Sequence, residues 1–392
     1  MFHFTFTRRE GPANRHPAAI QCSRDVRPLS TFRETYRRRR KHRVSGYCSR
    51  LLPTLWISLA LFSHSQPANG QSRPVTLNAV GDILFARGIE RKIAAYGEDY
   101  PFRSIAPLLR NADVVIGNLE TALSDRTFVT NQQYRFRASP ERARLLRPAG
   151  LTTLNLANNH SLDCGPLGLR DTMLALTKEG IKICGVGSKG SAIEYGKSGG
   201  VKTAFLAFSD FPPVVPDDSG FSIQYATDAA VDREVHEARR SADFVVVSFH
   251  WGQEQSSIPT PRQKRLARIA ASAGADLILG HHPHVLQGFE ILRTVGRNTL
   301  VAYSLGNFLF DGHKEAEKHS LILRCAFDRT GLLAAEILPV RIEHSAPRAA
   351  TGPERSTILS RLTALSKQLG CGIEEARVTL RPPSKLFQMP VD

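Results

Sequence analysis

Paired cysteines are missing from this chain. Its six cysteines stand singly at Cys22, Cys48, Cys164, Cys184, Cys325 and Cys371, with no C-x-x-C spacing. That excludes a zinc ribbon and a thioredoxin-type redox motif, and leaves no disulfide that spacing alone assigns. The apolar run Leu51 to Phe62 is about 12 residues, short of the roughly 20 that a membrane-spanning helix needs. There is no internal repeat at a solenoid period and no long low-complexity tract, which excludes stacked-repeat architectures. Acidic residues are few beside basic ones, 36 against 52, giving a formal net charge of +16. The excess is uneven: residues 1–70 hold 13 Lys and Arg against 3 acids, a net of +10, leaving +6 for the rest. Basicity concentrated in a leader is not a nucleic-acid footprint, so no nucleic-acid partner is expected. A mildly basic body suits an anionic substrate or polymer.

That leader, residues 1–72, has the order of parts of a secretory signal. Arg37 to Arg43 is almost wholly cationic, Leu51 to Phe62 is apolar, and Ser63 to Ser72 is small and polar. Ser63/Ser65 and Ala68/Gly70 are the small-residue pairs before a cleavage site. The expectation is an exported protein, periplasmic or membrane-associated at the cell envelope. Cys48 precedes the apolar run and is badly placed for lipid attachment. The long cationic stretch points either to a start downstream of Met1 or to a part for the arginine run in export, and no methionine between Met1 and Met173 supports an internal Met start.

The body, residues 73–345, is organised around Gly274 to Gln287, GADLILGHHPHVLQ. A short apolar run, Leu277 to Leu279, ends at a glycine and delivers His281, His282 and His284, with Pro283 stiffening the turn. Neutral imidazoles a residue apart can converge on one metal ion. The same arrangement recurs elsewhere, with strand-length apolar runs ending in polar clusters. Val75 to Val80 leads into Gly81 and Asp82. Asp113 to Ile116 leads into Gly117, Asn118, Leu119 and Glu120. Leu151 to Leu156 leads into Asn158, Asn159 and His160, followed by Asp163. Phe244 to Phe249 leads into His250, Trp251 and Gly252, with Glu254 beyond. Leu300 to Leu305 leads into Gly306 and Asn307. Helical spacing over Pro166 to Lys178, Val231 to Arg240 and Pro261 to Ala273 separates the runs.

Strands alternating with helices imply an α/β fold with a mostly parallel sheet, whose ligands gather beyond the carboxyl ends of the strands. All six clusters would then share one rim. Imidazole, carboxylate and amide oxygen together suit a divalent transition ion such as Mn, Zn or Fe, and suit calcium poorly. Each residue alone has a plainer reading. Asp82 could cap a helix, Asn118 and Asn159 could satisfy turn backbone, Glu120 and Glu254 could be exposed acids, and His250 could simply pack. Arg87, Arg135 and Arg137 lie near the clusters and could hold an anion or be solvated surface charges.

The motifs GD at Gly81, GNLE at Gly117, ANNHSLDCG at Ala157, HWG at His250, GADLILGHHPH at Gly274 and YSLGNF at Tyr303 resemble, in order, those of the CapA family. These are capsule and poly-gamma-glutamate synthesis proteins whose domain is similar to calcineurin-like metallophosphoesterases. The resemblance covers Val75 to Asp311. It implies a four-layer αββα sandwich of two mixed sheets with a site for one or two metal ions at one rim. It also implies that Asp82, Glu120, Asn159, His250, His282 and His284 are metal ligands and that His160 is the acid or base near the leaving group. Asn118, Asn158, Arg87, Arg137, Trp251, His281 and Asn307 are expected on the substrate side. The chain departs from the wider superfamily at Asp82, which lacks the histidine two residues later, and at His160, which is followed by Ser161 rather than an acid. The resemblance then implies that Glu120 stands in for the missing ligand.

The implied function is metal-dependent hydrolysis of a phosphoester or of the amide of an anionic gamma-glutamyl polymer, with membrane proteins of capsule synthesis as partners. The alternatives are a non-catalytic polymer-binding component of a capsule assembly or export complex and, further off, a cytoplasmic phosphodiesterase. Beyond Asp311, Ser320 to Phe327 and Leu332 to Val340 read as an antiparallel pair closing the second sheet. In residues 346–392, Thr351 and Glu354 have capping-box spacing at the start of a helix through Leu369, with Ile358, Leu362, Leu365 and Leu369 on one stripe. Arg381 to Asp392 reads as a loose, proline-bearing tail.

Overall fold

Parallel strands covered on both faces need apolar side chains on both, and the chain supplies two sets of them. In the computed structural model, which describes residues 73–188, 192–212 and 220–380, they form two mixed sheets. The expected leader and the tail from Arg381 lie outside the described residues.

The first sheet places Val75–Ile83 centrally. Val114–Leu119, Thr153–Asn155 and Lys182–Cys184 follow in parallel on one side. On its other side run His319–Asp328 and Gly331–Glu343, both antiparallel to their neighbours. This pair was expected to close the second sheet; it instead extends the first, because Val75–Phe327 through Ala79–Leu323 are in register. The second sheet is Val201–Ser209, Phe244–His250, Leu277–His281 and Arg297–Ala302 in parallel, with antiparallel edges Glu194–Ser198 and Phe289–Thr294.

The strand period of two sorts the side chains between layers. In Phe244–His250, Phe244 and Val246 join Leu77, Ala79 and Leu277 in the core between the sheets. Val245, Val247 and Phe249 face the helices Asp228–Ser241 and Pro261–Ala273 through Val231, Val235, Leu266 and Ala270. Phe244 and Phe327 stack at 3.9 Å across the sheet interface, a geometry worth about 0.5–1.5 kcal/mol beyond the area buried. On the first sheet's outer face, the buried Asn78 amide donates to the carbonyls of Leu108 and Leu109 at 3.2 and 3.3 Å. The result is the expected αββα sandwich.

Helix caps follow local chemistry. Thr260 and Gln263 form a reciprocal capping box at the start of Pro261–Ala273, whereas the box expected of Thr351 and Glu354 does not form. Glu354 is drawn to Arg348, which it meets at 2.9 Å. Helix Gly352–Lys367 does bury Ile358 and Leu362. Two glycines allow the strand ends to meet: a Cβ at Gly81 would stand 1.9 Å from the Gly306 carbonyl oxygen, and one at Gly280 would stand 1.9 Å from that of Tyr303. The run after Arg297 ends as a strand at Ala302, and Asn307 opens a new strand, Asn307–Leu309, parallel to Val75–Ile83. The chain thus crosses from the second sheet to the first at the rim where the polar clusters lie.

Candidate metal centre

Register sets the foundations of the site. Asp82 pairs with Asn118 on one side and Asn307 on the other, while His250 pairs with His281 in the second sheet. Asp82, Glu120, His250 and Asn307 are fully buried. The Asn118 amide donates to Asp82 Oδ1 at 2.9 Å and lies 3.3 Å from His250 Nδ1. Its own oxygen accepts from Asn158, whose amide also reaches the Leu119 carbonyl at 2.8 Å. Asn118 and Asn158, expected on the substrate side, are therefore enclosed and serve to fix Asp82 and the loop that carries His160.

His282 and His284 both have left-handed backbone, with φ of 93° and 59°. For side chains with a Cβ this costs about 1–3 kcal/mol each, so packing must hold the turn. The strain points both rings inward. His282 Nδ1 lies 3.1 Å from His250 Nε2, which also meets Asn159 Oδ1 at 2.8 Å. His284 Nδ1 lies 3.2 Å from Asp82 Oδ2 and 2.9 Å from Asn307 Oδ1. His281 is also buried, 3.3 Å from Asp82 Oδ1, yet neither of its ring nitrogens makes a hydrogen bond of good geometry.

Glu120 has the least compensation. Both carboxylate oxygens are buried with no hydrogen-bond partner, while the Nε2 atoms of His160, His250 and His284 stand 3.8, 3.7 and 3.7 Å from Oε1. A buried carboxylate without donors is costly unless a cation balances it. Burial accordingly pushes its pKa well above the usual carboxylate range. Asp82 moves the other way: burial opposes its charge, but the imidazoles of His281 and His284 hold it well below that range. Burial, with His284 nearby, takes His282 down from 6.5 to about 3, and burial with His282 lowers His250 well below its ordinary value. Burial also opposes charge on His284, yet Glu120 and Asp82 carry its pKa up from 6.5 to about 9.

These donors fit a divalent transition ion. Ligand atoms converge within 4.8 Å of one another in three overlapping sets: Glu120, His250 and His282; Asp82, Glu120 and His284; and Glu254, His282 and His284. Mixed nitrogen and oxygen donors suit manganese, zinc or iron. Beside the cluster lies a cleft of about 480 Å³, lined by Arg87, Tyr134, Phe136, His160, Glu254, His284, Asn307, Phe310 and the 311–317 turn.

The remaining expected residues divide. His160 is buried at the cleft, its ring 4.1 Å from that of Phe136 and its Nδ1 2.9 Å from Asp163 Oδ2. Arg87 lies over the Phe136 and Phe310 rings at 4.9 and 5.4 Å and is paired with Asp311. Arg137 does not line the cleft; its guanidinium covers Phe128 and donates to the Arg126 carbonyl at 2.6 Å. Arg135 also lies over Phe128, at 4.9 Å. Trp251 corrects the expectation of a substrate contact: fully buried, it stacks on Phe249 at 4.4 Å and donates to the Tyr303 carbonyl at 3.0 Å. Residues without an expected role also appear. Asp163 braces His160, a Glu254 carboxylate oxygen comes within 4.8 Å of ligand nitrogens of His282 and His284, and Phe211 packs 4.3 Å from His282. Asp163 and Glu254 sit in the same loops as assigned residues, a readable signal; Phe136, Phe211 and Phe310 had none.

The sequence profile described as Bacterial capsule synthesis protein PGA_cap matches residues 76–312. The chain is similar to the capsule biosynthesis protein CapA of Bacillus anthracis, 32% identical over 308 residues, 75% of this chain and 74% of that one. It is similar to the PGA biosynthesis protein CapA of Bacillus subtilis (strain 168), 32% identical over 315 residues, 76% of this chain and 80% of that one. A probable polyglutamine synthesis accessory protein of Mycobacterium tuberculosis is 27% identical over 320 residues, covering 74% and 81%.

Proposed function

The chain belongs to the PGA_cap family of bacterial capsule synthesis proteins, and from that premise we propose that it processes an anionic polymer of the poly-gamma-glutamate class at a metal-dependent, hydrolase-type site. The observation that carries this reading is Glu120, a buried carboxylate without a hydrogen-bond donor among three imidazoles. Asp82, Glu120, Asn159, His250, His282 and His284 would hold one or two divalent ions. Such an ion supplies Lewis-acid polarisation of an acyl or phosphoryl oxygen.

The chain's own residues supply the rest. His160 donates its Nδ1–H to Asp163, which leaves the Nε2 lone pair to take a proton from the attacking water and then hand it to the departing amine or alkoxide. Proton transfer of this kind contributes about 10²–10⁴-fold. Arg87, clamped by two phenyl rings, holds a polymer carboxylate beside His160. Action at the cell envelope belongs to the same proposal and draws on the secretory order of the leader; among the described residues no helix is long and apolar enough to cross a membrane.

A second reading, a polymer-binding capsule component without turnover, draws on His284. Its raised pKa lets an imidazolium balance Asp82 with no ion present. The test is metal analysis of protein purified without chelator, followed by incubation with poly-gamma-glutamate and with a generic phosphodiester. Bound metal with chelator-sensitive cleavage is expected. Binding without cleavage selects the second reading, and neither binding nor cleavage overturns both.

A further inference from the structure

Glu254 stands apart from the other acids of the site because it is exposed at the lip of the cleft, whereas Asp82 and Glu120 are fully buried. It follows His250 by four residues, on the loop that leaves the second sheet. That loop is tied to the histidine turn: Gln255 N–H donates to the Pro283 carbonyl at 2.7 Å, between His282 and His284. Gln255 takes left-handed backbone, with φ of 62°, to make this contact. One carboxylate oxygen of Glu254 therefore comes within 4.8 Å of ligand nitrogens on both imidazoles.

We propose that Glu254 is a further carboxylate ligand, completing with His282 and His284 the solvent-facing side of the metal centre. This rests on the reading of the site as a metal centre and deepens it. Two buried sets share Glu120, so one carboxylate is divided between them, and the outward position would otherwise present imidazoles alone. A hard or borderline divalent ion favours added carboxylate there. An exposed ligand also exchanges readily, which makes this the side from which a polymer carboxylate enters.

Metal-free full-length protein, wild type and Glu254→Gln, is titrated with Mn²⁺ by calorimetry, and its Co²⁺ adduct is read by visible absorption. Loss of a residue that only orients a metal ligand costs about 10–100-fold in metal affinity, so loss of a direct ligand should weaken one ion by about tenfold or more and change the Co²⁺ spectrum. Glu254→Asp, which keeps a shorter carboxylate, should fall between the two. Equal affinity, stoichiometry and spectrum in wild type and Glu254→Gln overturn this ligand alone. Absence of Mn²⁺ and Co²⁺ binding by the wild type overturns the metal centre and this ligand together.

Discussion

Asp163 Oδ2 lies 2.9 Å from Nδ1 of His160, and the same oxygen accepts the backbone N–H of Phe136 at 2.6 Å. One carboxylate thus fixes both the ring of His160 and the segment just before strand Arg137–Ala138, whose Phe136 ring packs on it. Asp163→Asn should keep this shape but lose the ring's preferred tautomer, cutting turnover by about 10²-fold or more. His160→Ala should cut it further. Metal content, measured on the same preparations, should be unchanged in both; its loss would make His160 a ligand instead.

Glu120→Gln should have opposite effects on stability and on metal. The folded pKa of Glu120 lies above its unfolded value, so its contribution is intact at low pH and is lost as pH rises from 4.5 through the folded value. In chelator at neutral pH the variant should therefore melt above the wild type, while metal analysis finds its binding abolished. A lower melting temperature in chelator would mean that the carboxylate has a donor the geometry does not reveal.

His284 sets a window in pH. Its folded pKa of about 9 exceeds the ordinary 6.5, so its stabilising contribution is complete below 6.5 and disappears as pH rises through about 9. Thermal melts of the chelated protein should decline across that interval. Metal affinity should rise across it, because an ion must displace the proton. His284→Gln should flatten the decline in the melts; a curve as steep as the wild type's would assign the effect to another group.

Trp251→Ala should act on stability. It removes a fully buried ring stacked on Phe249 and strands the Tyr303 carbonyl, a loss of about 3–5 kcal/mol for a core aromatic. Urea unfolding measures it. A KM change at unaltered stability would restore Trp251 to the substrate side.

Arg87→Ala should weaken binding of the acidic polymer at unchanged metal content, read as a rise in KM or as lower retention on immobilised poly-gamma-glutamate. The residue has left-handed backbone, with φ of 56°. Arg87→Gly relieves that strain while removing the same charge, so both variants should bind equally poorly. Recovery by glycine alone would make the effect one of backbone.

Much of the rim was legible before any coordinates. Asp82, Glu120, Asn159, His250 and the histidine turn each follow an apolar run, and runs of strand length end where a sheet's rim must lie. The misassignment of Trp251 was avoidable in principle. Odd-numbered Val245, Val247 and Phe249 face the helices, so the same alternation sends Trp251 there and turns His250 toward the site. No comparable rule marked Arg137, whose resting place over Phe128 depends on how one loop folds back.

Sequence alone determined the number of strand-terminal polar clusters, the donor chemistry they offer, and the glycines at Gly81 and Gly280 that let backbones touch. Only the tertiary structure decided which polar atoms go unsatisfied. Whether Glu120 has a hydrogen-bond donor, and whether Glu254 meets His282 and His284, depends on distances between segments far apart in the chain. Burial and pairing are properties of the packed whole, since a carboxylate's cost is set by what surrounds it and not by its neighbours in sequence.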